Sequence, residues 1–214
     1  MKEIAIYGAG GFGKEVACIL NKINEISPVW KLIGYFDDGI APGEQISHFG
    51  KVIGGLNKIN AWSSPLNIAF AIGNPQILRK LVSNITNPNI SFPNIIHPDV
   101  FFADPESFKI GVGNVFVRGC SFSCDVSVGD FNQMNSISSL AHDCKLGSYN
   151  VLMPLVRVSG GTEIGDCNFF GINAIILQNV KIGINTKIGA GSMVVRKTKD
   201  NSFYIGNPAR RVDL

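Results

Sequence analysis

Ile164-Gly165-Asp166-Cys167-Asn168-Phe169-Phe170-Gly171-Ile172-Asn173-Ala174-Ile175-Ile176-Leu177-Gln178-Asn179-Val180-Lys181-Ile182 is the stretch that decides the architecture. Ile164, Phe170, Ile176 and Ile182 stand six residues apart, and the count extends in both directions. It runs through Ile110, Phe116, Phe122, Val128, Met134, Leu140, Leu146, Leu152 and Val158 on one side and Ile188 and Val194 on the other, with no insertion. In a chain that is 45% hydrophobic, fifteen such residues in frame arise by chance roughly once in 10⁵. Four residues after each stands a small or modest residue, from Asn114 and Cys120 through Asn150 and Val156 to Thr198. Glycine often follows the apolar residue directly, as in Ile110-Gly111, Val128-Gly129, Leu146-Gly147 and Ile164-Gly165.

A six-residue period suits neither a helix nor a long strand. It suits a short strand plus a corner, three of which close one triangular coil. The large residue points into the prism, the small one fills the space near the corner, and glycine supplies the backbone angles a corner demands. Fifteen hexads give five coils, about 24 Å of prism at ~4.8 Å per stacked strand. Each coil buries its apolar residues only against its neighbours, so the ends need caps.

Upstream, residues 1–97 read as a small α/β unit, with the prism and its cap in 98–214. Glu3-Ile4-Ala5-Ile6-Tyr7 is a buried strand, followed by the Gly8–Gly13 loop and a helix over Lys14–Asn24. Lys31–Phe36 and Leu66–Ile72 are further strands, and Asn74-Pro75 opens a helix over Pro75–Asn84. Alternating strands and helices predict a parallel sheet of three or four strands, Rossmann-like, with a ligand crevice at the strands' carboxyl ends. The tail, Lys199–Leu214, folds back over the last coil.

The net charge of +3 is scattered, which argues against a nucleic-acid face or a polybasic membrane patch. No apolar run approaches the ~20 residues that span a bilayer. No signal peptide is visible, and the five cysteines read as reduced, buried hydrophobes, which together point to the cytoplasm. Cys120 and Cys124 lack a second pair for zinc, so no metal is expected.

Gly8-x-Gly10-x-x-Gly13 follows a strand and opens a helix, the setting in which backbone N–H groups meet a phosphate. Asp37 and Asp38 end the second strand, where an acidic residue commonly holds a ribose or base. The bland alternative is a tight turn. Of the three histidines, His48, His97 and His142, only His142 lies in the repeat. It takes the third position of its hexad, outside the prism, beside Asp143. Histidine is suited to accepting a proton near neutral pH, and a carboxylate on one ring nitrogen would leave the other free. Adjacent residues do not face each other on a flat strand, so that pairing needs a corner. Taken alone, His142 reads as a surface histidine.

The order of glycine-loop unit, Tyr35-Phe36-Asp37-Asp38, Ile96-His97-Pro98, repeat with Asn135-Ser136 and His142-Asp143-Cys144, then Gly206-Asn207-Pro208-Ala209-Arg210 covers nearly the whole chain. It resembles the sugar O/N-acetyltransferase family of sialic-acid O-acetyltransferases and nucleotide-4-amino-sugar N-acetyltransferases, built on a left-handed parallel β-helix. Handedness comes from this resemblance alone, since ordinary crossovers are right-handed. The resemblance implies a homotrimer, with acetyl-CoA between prisms and a nucleotide sugar, UDP-linked by the Asp37-Asp38 match, in the crevice. His142 is implied as general base, oriented by Asp143, with the Gly160 N–H at the oxyanion. Gly8, Gly10, Gly11, Asp37, Asp38, Gly55 and Gly73 match or border the nucleotide site, and Asn135 and Ser136 lie near the sugar. Gly160, Ile172 and Ala190 match the acetyl-CoA groove, and Lys197, Arg210 and Arg211 are candidates for its phosphates.

Where many relatives carry a second histidine, nine residues after the base, this chain has Val151. The function implied is acetyl-CoA-dependent N-acetylation of a nucleotide-linked 4-amino-deoxy sugar for bacterial surface glycan. O-acetylation of a sugar such as sialic acid is the runner-up. A non-catalytic trimeric sugar-nucleotide binder is the reading from another class. A γ-type carbonic anhydrase needs three zinc-binding histidines, which the repeat does not supply.

Overall fold

The computed structural model describes residues 1–213. Its N-terminal unit holds strands β1 (Lys2–Tyr7), β2 (Trp30–Phe36), β3 (Val52–Gly54), β4 (Leu66–Phe70) and β5 (Ile90–Ser91), with helices α1 (Gly11–Ile26), α2 (Leu56–Asn60) and α3 (Pro75–Ser83). The sheet is parallel, in the order β3-β2-β1-β4-β5. Central strand β1 buries Ile4, Ala5 and Ile6 completely, the unbroken apolar run of a strand covered on both faces. The order reverses between β1 and β4, which places a crevice past Tyr7 and Phe70. β3, α2 and β5 are additions to the sequence reading; elements this short show no legible period. α3 opens as its residues dictate, with the Asn74 side chain accepting from the N–H groups of Gln76 and Ile77. α1 opens on Gly10 and Gly11 with no side-chain cap, which leaves its first N–H groups free.

The rest is a three-sided solenoid of parallel two-residue strands. Its first face runs from Ile95–Ile96 through Val115–Phe116, Gln133–Met134, Val151–Leu152 and Phe169–Phe170 to Lys187–Ile188. The second runs from Phe101–Phe102 to Met193–Val194, and the third from Lys109–Ile110 to Lys181–Ile182. The residues of the six-step count form one continuous core, including Phe116, Met134, Leu152, Phe170 and Ile188 at 0% exposure. The solenoid starts two strands earlier than the frame shows, at Ile95–Ile96 and Phe101–Phe102, which complete a coil with Lys109–Ile110. Ile96, Phe102 and Ile110 pack against this core, but Asp104–Phe108 contains two extra residues that put the first coil out of step. At the other end Phe203–Gly206 pairs with Lys187–Ile188, and Ala209–Val212 returns antiparallel to it, forming a cap hairpin.

The glycines after the apolar residues do a different job from the one expected. None of Gly111, Gly129, Gly147 and Gly165 has a positive φ. They stack coil on coil so closely that a Cβ on Gly147 would lie 2.8 Å from the Gly165 carbonyl carbon and 2.3 Å from Asp166 Oδ1. The left-handed corner comes two residues later in each hexad. Gly113, Gly119 and Gly161 occupy it, but so do Asp143 (φ 58°), Phe131 (54°), Ile137 (61°) and Tyr149 (60°). The corner is thus imposed on side chains that rarely adopt it. Inside, Asn114, Asn132, Asn150 and Asn168 form a fully buried ladder, each side-chain oxygen accepting the backbone N–H of the residue one coil on, ending at Thr186.

The α/β unit docks on the first face and on its corner with the third. Ile95, Val115 and Val117 join the core of α1 residues Val16 and Leu20. Phe131 meets Phe70 edge-on at 5.9 Å and stacks on Tyr149 at 5.3 Å. Gln133, 1% exposed, donates through Nε2 to the Phe70 carbonyl (3.3 Å). Gln76 of α3 donates to the Cys167 carbonyl and to Asn185. Among the described residues, no helix is long and apolar enough to cross a membrane.

Candidate active site

His142 stands on the corner between the second and third faces. Asp143 takes the left-handed conformation there, and the bend lets adjacent side chains meet: His142 Nδ1–H donates to Asp143 Oδ2 at 2.7 Å. With Nδ1 as donor, Nε2 is left as a free acceptor. Both side chains are more than 60% exposed. The ring sits against Gly160, where a Cβ would be 2.5 Å from Cε1 and 2.6 Å from Nε2. The Gly160 N–H makes no hydrogen bond within the described chain. A base with one nitrogen anchored and one free, seated on the buried Gly160 with its unpartnered N–H, can take a proton.

The second half of the site lies in the α/β unit. Gly8 (φ 110°) and Gly13 are closure residues, since a Cβ would lie 2.5 Å from the Ala71 carbonyl oxygen at the first and 2.0 Å from that of Gly8 at the second. Gly10, Gly11 and Gly73 face open space, with no atom within 4 Å of where a Cβ would stand. Bare backbone at an uncapped helix start is an anion cradle. Asp37 accepts from the N–H of Ala9 (2.9 Å) and Gly39 (2.8 Å), so it braces the glycine loop. Asp38 accepts from Leu56 N–H at 2.9 Å and from the Tyr7 hydroxyl, and Gly55 abuts it because a Cβ there would lie 2.1 Å from Asp38 Oδ1. Burial, and then this bond to Asp38, hold the Tyr7 phenol far above its ordinary range, so it stays a donor. Each carboxylate keeps spare lone pairs for a ligand.

The other expected site residues fall on separate edges. Asn135 and Ser136 lie just before the left-handed Ile137, on the corner between the first and second faces. Asn135 donates to the Leu152 carbonyl at 3.0 Å. Ile172 and Ala190 precede Asn173 and Gly191 on that same corner, whereas Gly160 shares the His142 corner. Lys197 is exposed near the top of the His142 corner, and Arg210 and Arg211 sit on the cap hairpin. Val151 is buried on the first face. A cavity of about 530 Å³ between α3 and the cap is lined by Gln76, Lys187, Ser202 and Arg211 among others, away from His142. Tyr7 and Gln133 were not singled out from sequence. A tyrosine ending a buried strand is the available signal for the first, because its hydroxyl must find a partner. Among the described residues, no group of three or more His, Cys, Asp or Glu is placed to hold a metal ion.

A triangular solenoid with a histidine–carboxylate pair on its edge is joined here to a parallel α/β unit with an open glycine loop, an arrangement that offers a base and an anion cradle. Comparison with known proteins narrows this. Residues 3–85 match the family model described as the PglD N-terminal domain. The GDP-perosamine N-acetyltransferase of Escherichia coli O157:H7 is 28% identical, over 99% of this chain and 97% of its own length. The acetyltransferase domain of PglB from Neisseria gonorrhoeae superposes with a TM-score of 0.89 at 28% identity, covering 99% of this chain and all of that one. PerB from Caulobacter crescentus, solved with CoA and GDP-perosamine, gives 0.87 at 28% identity, covering 100% of this chain and 98% of that one. Over nearly its whole length the chain is thus similar to proteins named as acetyltransferases, two of them named for GDP-perosamine.

Proposed function

We propose that the protein transfers the acetyl group of acetyl-CoA to the amino group of a nucleotide-linked 4-amino-deoxy sugar, with His142 as general base. The observation that carries this is the His142–Asp143 pair at 2.7 Å with the ring set against Gly160. Asp143 holds the Nδ1–H tautomer; Nε2 takes the proton as the amine attacks the thioester carbonyl; the Gly160 N–H meets the oxyanion until the CoA thiolate leaves. No acyl-enzyme is needed. The similar E. coli and Caulobacter proteins are named for GDP-perosamine, so a GDP-linked amino sugar is the first substrate to try, ahead of the uridine nucleotide that the family resemblance attached to Asp37-Asp38.

The working unit in this reading is a homotrimer. A chain's crevice lies over its first face, and its His142 lies on the opposite corner, between the second and third faces. A sugar held in the crevice therefore needs the His142 of a neighbour, and Gly160 and Ile172, on different corners, line one groove only when two prisms meet.

The test is thiol release from acetyl-CoA with GDP-, UDP- and dTDP-linked 4-amino sugars and free sialic acid. Turnover with one nucleotide amino sugar, reduced ~10²–10⁴-fold by His142→Ala, is expected. Turnover with sialic acid alone would replace this reading with O-acetylation. Nucleotide-sugar binding without turnover would make the protein a binder.

A further inference from the structure

Up the first face the outward residues Ile95, Val115, Gln133 and Val151 stack in register, one per coil. All four are buried, none more than 1% exposed. Three are apolar, as a docking surface requires, and Gln133 sets a primary amide among them. Only half of that amide is satisfied. Nε2 donates to the Phe70 carbonyl at 3.3 Å, while Oε1 is buried with no hydrogen-bond partner among the described residues. A buried acceptor left unpaired costs stability, and an apolar side chain of similar shape avoids that cost. Stability alone therefore does not account for an amide here, and a broken rule of this kind marks a functional constraint more often than chance.

The bond lands at a junction. Phe70 ends β4, where the crevice opens, and its ring stacks on that of Tyr7 at 5.7 Å; the Tyr7 hydroxyl in turn engages Asp38. The crevice has ties of its own: Ala71 N–H to the Tyr7 carbonyl at 2.7 Å, Gly8 N–H to the Phe36 carbonyl at 2.8 Å, and Ala9 N–H to Asp37 at 2.9 Å. None of these reaches the prism. Gln133 spans the gap, and among the described residues it is the only prism side chain bonded to a backbone group of the α/β sheet. Two residues on, Asn135 and Ser136 begin the corner between the first and second faces. We propose that Gln133 is a positioning residue for acyl transfer: through the Phe70 carbonyl it sets where the crevice stands over the prism, and so where a sugar projecting from the crevice meets the prism edge. Being buried, it acts through Phe70 and not by touching substrate. The inference rests on the crevice as the nucleotide-sugar site and adds to it the residue that holds that site in register with the prism.

The experiment compares Gln133→Met and Gln133→Leu with wild type. Both keep an apolar contact and lack the donor. Gln76 and Arg79 still tie α3 to Cys167 and Asn185, so the unit stays docked. By calorimetric titration, Kd for the free nucleoside diphosphate that wild type binds (GDP, UDP or dTDP) should stay within about twofold, because the crevice keeps its own ties. KM for acetyl-CoA should hold as well. In both variants kcat with the nucleotide sugar should fall about tenfold, a displacement smaller than the ~1 Å that costs on the order of 10²-fold. The melting midpoint should stay within about 3 °C of wild type or rise, since removal of the unpaired Oε1 offsets the bond lost at Phe70. A larger fall in the midpoint with kcat per folded molecule unchanged would make Gln133 structural only and overturn the proposal, as would failure of both variants to fold. A nucleoside diphosphate Kd that weakens as far as kcat falls would also overturn it, because the defect would then lie inside the crevice. Wild type that binds no GDP, UDP or dTDP and turns over no nucleotide amino sugar refutes the functional reading. Binding and turnover that survive both substitutions undiminished refute only the positioning role.

Discussion

Gly160→Ala isolates the geometry of the base from everything else in the fold. The backbone at Gly160 is not in the left-handed region, so alanine meets no backbone penalty there. The added methyl would stand 2.5 Å from His142 Cε1, 2.6 Å from Nε2 and 3.0 Å from Nδ1. Carbon atoms pack at about 3.5–4.0 Å, so the ring must retreat by roughly 1 Å. The imidazole has room to do so on its exposed side, and the core beneath is untouched. A 1 Å misplacement of a catalytic group can cost on the order of 10²-fold in rate. We expect kcat to fall about that far, with KM for the nucleotide sugar held and the thermal midpoint within about 2 °C of wild type. Gly160→Ala combined with His142→Ala should be no slower than His142→Ala alone, because both act through one group. Wild-type kcat in Gly160→Ala would refute the assignment of His142 as a base seated on Gly160; additive losses in the double variant would instead trace the methyl's effect to the Gly160 N–H.

Three further outcomes follow from particular contacts. Gly147→Ala drives a Cβ to within 2.8 Å of the next coil's backbone; such overpacking costs about 2–3 kcal/mol, a drop of about 5–10 °C in Tm for a chain of this size, and an unchanged melt would contradict the close-stacked glycine column. The Tyr35 hydroxyl is buried without a partner, and burial, with Cys18 nearby, pushes its pKa up to about 12. Tyr35→Phe should therefore be neutral or stabilise by up to about 1 kcal/mol in denaturant titration; a clear loss would reveal a partner for that oxygen. Burial pulls His97 below its ordinary value of 6.5, aided by Arg118 and Lys22 and opposed by Asp99, while its Nδ1 accepts the Asp99 N–H at 3.0 Å. Below pH 6.5 the unfolded chain then binds the proton more readily, so stability falls with falling pH across that window. His97→Asn should flatten that part of the profile, and an unaltered slope would mean that other groups set it.

The solenoid was legible because its information is local and repeated. Every hexad states the same rule, and each coil touches only its neighbours, so Ile110 to Val194 could be counted into place without any long-range contact. The rule failed where the repeat breaks, at the two extra residues in Asp104–Phe108, and where the same residue type serves two purposes. Glycine after the apolar residue looked like a corner residue, yet coil-to-coil spacing requires it; the corner itself tolerates Phe131, Ile137 and Tyr149 because stacking above and below overrides their preference. The glycine loop and the His142-Asp143 dipeptide were likewise visible, since short-range backbone chemistry writes itself in adjacent residues.

What the amino-acid sequence could not state is which surfaces meet. The α/β unit sits on the first face because Val115, Gln133 and Phe131 offer it apolar area and one amide, residues that in the repeat are indistinguishable from ordinary outward positions. Asp37 and Asp38 stood out as candidate ligand acceptors, but the bonds that aim them come from Tyr7 of β1, Leu56 of α2 and the loop residues Ala9 and Gly39. Sequence spacing separates Asn135 from His142 by a few residues, and the triangular cross-section turns that into two different edges. Local periodicity determined the prism; the closure of non-local contacts decided that the crevice and the chain's own histidine lie on opposite sides of it.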